Sequence, residues 1–475
     1  MDIPIPHGIF AIMKIHFFGA ARTTTGSMYW IEVNGKNILM ECGLFQGHRQ
    51  ESEALNHELP VVPGKLDAVL LSHSHLDHAG RLPRLCQGYD GPIHCTSATR
   101  DLCSIMLMDS AHIQEQDALF VSKVRARKKM PPVSPLYTRK DAEKCVQQLK
   151  PHGYEQTFEV VPGVQVTFRE AGHILGSAQI ILDVQEKGRR FRHLFTGDIG
   201  RGGDELLRDP QPVENVDYLQ IESTYAARLH KQRPDADNLT GQMVKSALQA
   251  GGKVIIPAFS VGRTQQIVYV LHELICAGKL PRVPMFVDSP LSVNATEIYN
   301  HHFESLRSDI RDTLCNQEDP FGMKNLTYIA SSEDSKRLND RHEPMVIISA
   351  SGMCEGGRIR HHLKNNLEDE KNLVLFLGYC AEGTLGNQLI AGKKSVNIFG
   401  EPHTVRAQVA SLDTYSGHAD KDELANYVKR LSGDIKVIAC IHGEETQCLA
   451  HAETLRAMKP SAKIVVPAYK QVLEI

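Results

Sequence analysis

The chain has 475 residues, with 53 Lys or Arg against 56 Asp or Glu, a formal net charge of −3 with His neutral. Hydrophobic residues at 42% and charged residues at 23% are ordinary for a globular protein and exclude a wholly disordered chain. At about 150 residues per domain the length predicts roughly three domain-sized units or two larger ones, and no apolar run reaches the roughly 18 residues of a membrane span.

The first twelve residues, MDIPIPHGIFAI, carry no basic segment and predict no signal peptide. Short apolar runs then recur at 37–40, 68–71, 179–184, 194–196 and 218–221, each ended by Gly or a polar residue, and predict strands. The basic stretch 125–129 runs into Pro131 and Pro132 and is read as a solvated helix end. In the middle of the chain KVIIPAF (253–259) precedes a segment, 264–276, in which Ile267, Val270, Leu271, Leu274 and Ile275 share one helical face, with Gly278 as C-cap. VPMFVD, PMVIISAS and KNLVLFLG repeat the strand cue, so buried strands alternating with helices predict a parallel α/β sheet. The last segment returns to the strand-then-histidine style of the first two hundred residues, as expected of one domain interrupted by another. Eleven cysteines without a CxxC pair fit reduced thiols and a cytoplasmic protein. Near-neutral charge leaves any phosphate-binding surface to be local.

The strongest chemical signal is Ser72-His73-Ser74-His75-Leu76-Asp77-His78, directly after the apolar run Ala68-Val-Leu-Leu71. Imidazoles and carboxylates clustered at the end of a buried strand have no use in a core, and together suit Zn²⁺ or a related ion. One turn cannot complete a pair of metal shells. His173 in Ala-Gly-His-Ile-Leu-Gly176, Asp198 in Thr-Gly-Asp-Ile-Gly200 and His442 in Ile-His-Gly-Glu444 follow the same order of apolar run, ligand type, then glycine. Glu222, closing DYLQI, and His418 in Ser-Gly-His-Ala-Asp420 share the placement and are candidates for a general acid or base with its orienting partner. His48, His57, His301, His302, His361, His362 and His403 lack that context and are read as surface or structural.

These motifs resemble the metallo-β-lactamase superfamily, and specifically its β-CASP branch of RNA-processing nucleases, over nearly the whole chain from about Met13 and in the family's order. His73, His75, Asp77 and His78 match the second metallo-β-lactamase motif, His173 the third and Asp198 the fourth. Glu222 matches the acidic motif A, His418 motif B and His442 motif C. Pro257-Ala-Phe-Ser-Val-Gly-Arg263, Ser349-Ala-Ser-Gly-Met353 and Gly356-Gly-Arg358 resemble the β-CASP insert.

The resemblance implies an αββα metallo-β-lactamase sandwich interrupted by an inserted α/β β-CASP domain, with the sandwich over 13–225 and 405–475 and the insert over 226–404. It implies two Zn²⁺ per chain in the cleft between them: one on His73, His75 and His173, the other on Asp77, His78 and His442, with Asp198 bridging. Where the family usually carries Asp in its first motif as an orienter of ligands, this chain has Glu41. The resemblance further implies a two-metal hydrolysis of single-stranded RNA, endonucleolytic with 5′ exonucleolytic trimming as a second mode, in which Asp77 serves the metal-activated nucleophile and His418 with Glu222 protonates the leaving oxygen. In that branch His at the position of His442 accompanies RNA-processing members, and Val the DNA-directed ones.

Phosphate contacts are expected from the insert: Arg263 beside a helix N-terminus, Ser351 and Gly352, and Arg358. RNA is the expected partner, with no membrane; a homodimer stays open. Competing readings are a small-molecule metallo-hydrolase and a non-catalytic RNA-binding or scaffold subunit. A roofed cleft speaks against the first, and the complete ligand set against the second.

Overall fold

The computed structural model describes residues 13–47, 49–230, 233–315, 321, 322, 324–378, 380, 383–412 and 415–475; the first twelve residues and His48 lie outside them. Alternating burial in Met13–Phe17, Tyr29–Val33 and Val164–Glu170 puts every second side chain inward, as a strand's period of two requires. Two seven-stranded sheets result. One runs Val472–Glu474, Met13–Phe17, Tyr29–Val33, Lys36–Met40, Ala68–Leu70, Ile93–Thr96, Leu149–His152. The other runs Lys463–Val465, Val437–Ile441, Tyr218–Glu222, Arg189–Phe195, Ala178–Glu186, Val164–Glu170, Thr157–Val161.

The inner faces meet in one core that includes Ile15, Phe17, Tyr29, Ile31, Phe168, Ile180, Phe195 and Ile441. The outer face of the first sheet is covered by helices including Ser97–Arg127 and Arg139–Gln148, through Cys103, Leu107, Ala142 and Cys145. The outer face of the second carries Lys421–Arg430 and Glu445–Met458, through Leu424, Val428, Cys448 and Leu455. Helix, sheet, sheet, helix is the expected four-layer sandwich.

A third sheet of six strands is built from the interrupting segment: Leu326–Tyr328, Met285–Asp288, Val346–Ser349, Val254–Pro257, Leu373–Phe376 and Gln408–Ser411, with every pair parallel. Four of these strands, VIIP, MFVD, VIIS and LVLF, are buried along their whole length, as a parallel sheet covered on both faces demands. The helix Arg263–Cys276 ends as its sequence predicts, with Gly278 left-handed (φ +69) and Lys279 N–H donating to the Leu274 carbonyl. Close to the expected return to the sandwich at 405, the insert's sheet gains its last strand. Gln408–Ser411 still pairs with Leu373–Phe376 in the insert's sheet, and its half-exposed QVAS side chains gave no apolar run to read.

Insert and sandwich share a core rather than a loose contact. Ala98, Leu102, Ile174 and Leu175 of the sandwich pack in one cluster with Val261, Ile267, Ala295 and Tyr299 of the insert, and His302 Nε2 lies 2.7 Å from Asp101 Oδ2 across the junction. Ile174 and Leu175 follow His173 directly, so the insert clamps a loop that carries a candidate ligand. Among the described residues no helix is long and apolar enough to cross a membrane. The 125–129 stretch caps the long helix and is exposed, as read.

Strand-end loops can converge only where backbone passes very close to backbone. A Cβ on Gly43 would lie 1.6 Å from the Asp77 carbonyl oxygen, and one on Gly200 1.7 Å from that of Gly172. Gly43→Ala and Gly200→Ala are each expected to cost at least about 1–3 kcal/mol, the usual range for overpacking, and to lower bound metal. Gly202→Ala, with nothing within 4 Å of its Cβ, is the matched control. Thermal unfolding and metal content of the three variants check this; equal stability of all three would contradict it.

Candidate metal centre

The ligand-type residues stand on the ends of a few neighbouring strands. Arg189–Phe195, Tyr218–Glu222 and Val437–Ile441 are adjacent and parallel, so Asp198, Glu222 and His442 emerge from one edge of one sheet. The loop after Ala68–Leu70 brings His73 to His78 from the facing sheet. His173 follows Val164–Glu170.

Their ligand atoms form four overlapping groups, the atoms of each lying within 4.8 Å of one another: His73, His75, His173 and Asp198; Glu41, His73 and His78; Asp77, His78 and His442; and Asp198, Glu222 and His418. Asp198 joins them. Its Oδ2 lies 3.5 Å from both His73 Nε2 and His173 Nε2, and its Oδ1 lies 3.3 Å from His78 Nε2 and 3.5 Å from His442 Nδ1. Asp77 Oδ2 lies 3.5 Å from His442 Nε2.

Hydrogen-bond partners set the direction of each ring. His173 Nδ1 donates to the Gly417 carbonyl oxygen (3.0 Å), which turns Nε2 inward. His78 Nδ1 lies 2.5 Å from Glu41 Oε2, so its Nε2 also faces the centre. Ser72 Oγ gives its proton to Glu41 Oε2 (2.9 Å) and can then only accept from His73 Nδ1 (3.0 Å). Thr224 Oγ1 gives its proton to the His442 carbonyl (3.0 Å) and accepts from His442 Nδ1 (3.1 Å). The inward nitrogens therefore face one another: His73 Nε2 and His173 Nε2 lie 3.2 and 3.1 Å from His75 Nδ1, and His78 Nε2 lies 3.1 Å from His442 Nε2.

Burial pushes His73 and His173 well below the usual imidazole range and His75 down to about 4, so these rings are neutral. For Asp77 and Asp198 burial acts upward but is outweighed by the surrounding histidines, and both carboxyls are held well below the usual range. His78 shows the opposite balance: burial lowers it, and Asp198 and Asp77 overcome burial and raise it. Buried carboxylates here draw positive charge onto whatever is near. Asp198 Oδ1 is buried with no hydrogen-bond partner. Neutral imidazole nitrogens converging with ionised carboxylates and an orphaned carboxylate oxygen fit divalent cations of the zinc type.

Glu41 stands where the family places Asp. Its backbone is left-handed (φ +63), and its fully buried carboxylate accepts from Ser72 N–H (2.7 Å), Ser72 Oγ and His78 Nδ1. The longer side chain thus reaches an orienting position beside His78. His442 is left-handed as well (φ +48), a conformation that costs a non-glycine residue on the order of 1 kcal/mol and is tolerated where surroundings enforce it.

His418 Nδ1 lies 3.1 Å from Glu222 Oε1 and 3.9 Å from Asp198 Oδ2. Burial lowers its pKa, but Glu222 dominates the opposing charges and the result is a rise to about 9. Glu222 is itself fixed by Ile199 N–H (2.7 Å) and Thr224 N–H (3.2 Å).

The insert residues are placed less uniformly. Arg263 opens the helix Arg263–Cys276 and donates to Gln266 Oε1. The preceding Gly262 lies against Ile174, beside His173. Ser351 and Gly352 form the loop after Val346–Ser349, with Gly352 against Phe259. Arg358, expected among the phosphate contacts, is tied within the insert. Its guanidinium donates to the fully buried Asp288 Oδ1 (2.7 Å) and to the Ile329 and Ala330 carbonyls, because a buried carboxylate needs a charged partner. His362 completes that cluster at 2.6 Å from Asp288 Oδ2, and His302 pairs with Asp101, in keeping with structural histidines. Ser72, Thr224 and the Gly417 carbonyl were not singled out from sequence. Their only signal is adjacency to ligands, which is common to many residues.

Three family matches follow the geometry: the metallo-beta-lactamase superfamily over residues 21–102, the Beta-Casp domain over 264–389, and the Zn-dependent metallo-hydrolase RNA specificity domain over 402–467. Ribonuclease TTHA0252 of Thermus thermophilus is 35% identical over 445 residues, covering 93% of this chain and 96% of the relative. The chain belongs to the β-CASP branch of the metallo-β-lactamase superfamily. An RNase J-like protein of Methanocaldococcus jannaschii is 32% identical, covering 94% of this chain and 96% of its own length. Transcription termination factor FttA of the same organism is 33% identical, with 94% of this chain and 69% of the relative covered. A crystal structure of a protein of unknown function from Enterococcus faecalis V583 aligns over 98% of this chain and 100% of its own, with a TM-score of 0.55 at 13% identity, which is a likeness of fold. The histidine and carboxylate cluster offers this β-CASP protein groups that could hold metal ions, in keeping with the matched metallo-hydrolase domains.

Glu41→Gln keeps the shape of the side chain but removes its charge from His78 and Ser72. Metal affinity is expected to fall about 10–100-fold, as for other changes behind a ligand, with the fold retained. Competition against a chromophoric chelator measures it, and unchanged affinity would contradict the orienting role.

Proposed function

We infer that this protein is a metal-dependent ribonuclease hydrolysing phosphodiester bonds of single-stranded RNA at a paired zinc site. The carrying observation is Asp198, whose two oxygens face two separate ligand groups while His418 and Glu222 stand alongside. His73, His75 and His173 would hold one ion, and Asp77, His78 and His442 the other, with Asp198 between. Bound there, the ions would activate water as a nucleophile and neutralise charge on the phosphate.

The chain's own residues supply the rest. The Gly417 carbonyl, Glu41, Ser72 and Thr224 hold the imidazole rings in the direction that ligation needs. Asp77 and Asp198 offset the charge of the ions, which lets a polyanionic substrate approach without stranding a buried excess of positive charge. Glu222 orients His418 through Nδ1 and stabilises its imidazolium form, so that the ring can hand a proton to the leaving oxygen. Arg263, Ser351 and Gly352 of the insert are proposed to hold phosphates flanking the cut.

Support for RNA as substrate comes from the relatives and from the domain matched over 402–467, whose description is of RNA specificity. The shared core that fixes the insert over the sandwich favours a threaded polymer over a small, freely diffusing substrate. Internal cutting with 5′ trimming as a second mode is the activity proposed.

The test is cleavage of matched 5′-labelled single-stranded RNA and DNA by zinc-loaded protein. Wild type is expected to cut RNA and leave DNA, and Asp77→Ala to cut neither. His418→Ala is expected to retain its metal and to lose about 10²–10⁴-fold in kcat, the usual worth of a general acid. Intact RNA with the loaded wild type would overturn the reading, and DNA cut as fast as RNA would overturn its substrate class.

A further inference from the structure

A small cavity opens beside His418, between the segment that follows Glu222 and the insert. Its volume is about 210 Å³, with Tyr225, Arg228 and Leu229 on the sandwich side and Asn387 and Ile390 on the insert side. This is below the roughly 300–1,000 Å³ of pockets for drug-sized ligands, and suits one planar ring system rather than a whole nucleotide chain.

Four contacts tie the cavity to the reacting centre. The Tyr225 ring centroid lies 6.1 Å from that of His418 and 4.8 Å from that of His230. His230 Nε2 lies 3.2 Å from the His418 carbonyl oxygen, and its backbone N–H donates to Asp420 Oδ2 (2.9 Å). The Tyr225 wall is therefore fixed to the loop that positions His418. On the far side Cys380, which also lines the cavity, approaches the Gly352 carbonyl with Sγ at 3.7 Å. The cavity thus lies between His418, the proposed donor to the leaving oxygen, and the 351–352 loop, proposed to hold a flanking phosphate.

Its chemistry is mixed. Leu229 is 61% exposed and Ile390 36% exposed, and a large apolar side chain open to water in a cleft is favourably covered by a flat apolar ligand. Tyr225 adds an aromatic face. Arg228 and Asn387 bring polar groups to the edge. Single-stranded nucleic acids are held by this combination of stacking surface and cationic or amide edge.

We propose that this cavity is a nucleobase subsite: the base of the nucleotide next to the scissile phosphate stacks against Tyr225, with Leu229 and Ile390 covering its apolar surface. The proposal rests on the ribonuclease reading above. Stacking tolerates every base because each has a π-face, so the subsite fixes position along the strand and gives little sequence preference.

An abasic scan tests it. One RNA with a dominant cut is prepared with a single abasic residue at each position in turn, and kcat/KM is measured with zinc-loaded protein. Wild type is expected to lose about 5- to 100-fold at one position adjacent to the cut, the span that stacking of a single base supplies. Tyr225→Ala is expected to lose a comparable factor on intact RNA and to become insensitive to the abasic residue at that position. Leu229→Ala, a change at an exposed side chain, is expected to flatten the same dip in part. Ile390→Trp, which fills the cavity from its rim, is expected to slow cleavage of intact RNA more than of the RNA abasic at that position. Cleavage with no sensitive position, or a dip that persists unchanged in Tyr225→Ala and Leu229→Ala, would overturn the subsite alone. If loaded protein cut none of the RNAs, the ribonuclease reading would fall and the subsite with it.

Discussion

Buried charge without enough protons to neutralise it is the constraint around which this molecule is arranged. Asp77 and Asp198 are held well below the usual carboxylate range, while His73, His75 and His173 are driven towards the neutral form by burial. The ligand atoms of His73, His75, His173 and Asp198 converge inside 4.8 Å, as do those of Asp77 with His78 and His442. An apolar core offers nothing to such a group, and water alone cannot serve it at that depth. Divalent cations can, and the surrounding bonds make sense only as devices that keep each ligand turned inward.

The architecture follows from the need to bring that many groups to one point. A single turn supplies His73 to His78, but the remaining ligands come from loops far apart in sequence. Parallel neighbours in the second sheet deliver Asp198, Glu222 and His442 to a common edge, and the sandwich core fixes that edge against the turn from the first sheet. Close backbone approaches at Gly43 and Gly200 allow the loops to interlock. The insert then packs on Ile174 and Leu175, directly after His173, so the placement of that candidate ligand depends on the junction.

Much of this was legible in the sequence because the relevant signals are local. The HxHxDH run, and the recurring order of apolar strand, ligand and glycine, depend only on neighbours along the chain. The insert was legible through strands buried on both faces, which read as continuous apolar runs such as VIIP and LVLF. What escaped was set by distant partners. Arg358 was read beside its glycines, and its bond to Asp288, seventy positions away, has no signal along the chain. Glu41 raised a question of geometry that only its bonds to Ser72 and His78 answer. The edge strand Gln408–Ser411 lacks an apolar run and so gave no strand signal in the sequence. Tyr225 and His230 gain meaning only from their nearness to His418.

The central claim is that these ligands form one paired centre on which RNA hydrolysis depends. The most direct measurement is a zinc titration of chelator-stripped protein, with RNA cleavage assayed at every point. Two ions per chain, with cleavage rising fully only as the second binds, is the predicted result. Saturation at a single ion, or full cleavage before a second is bound, would contradict the account.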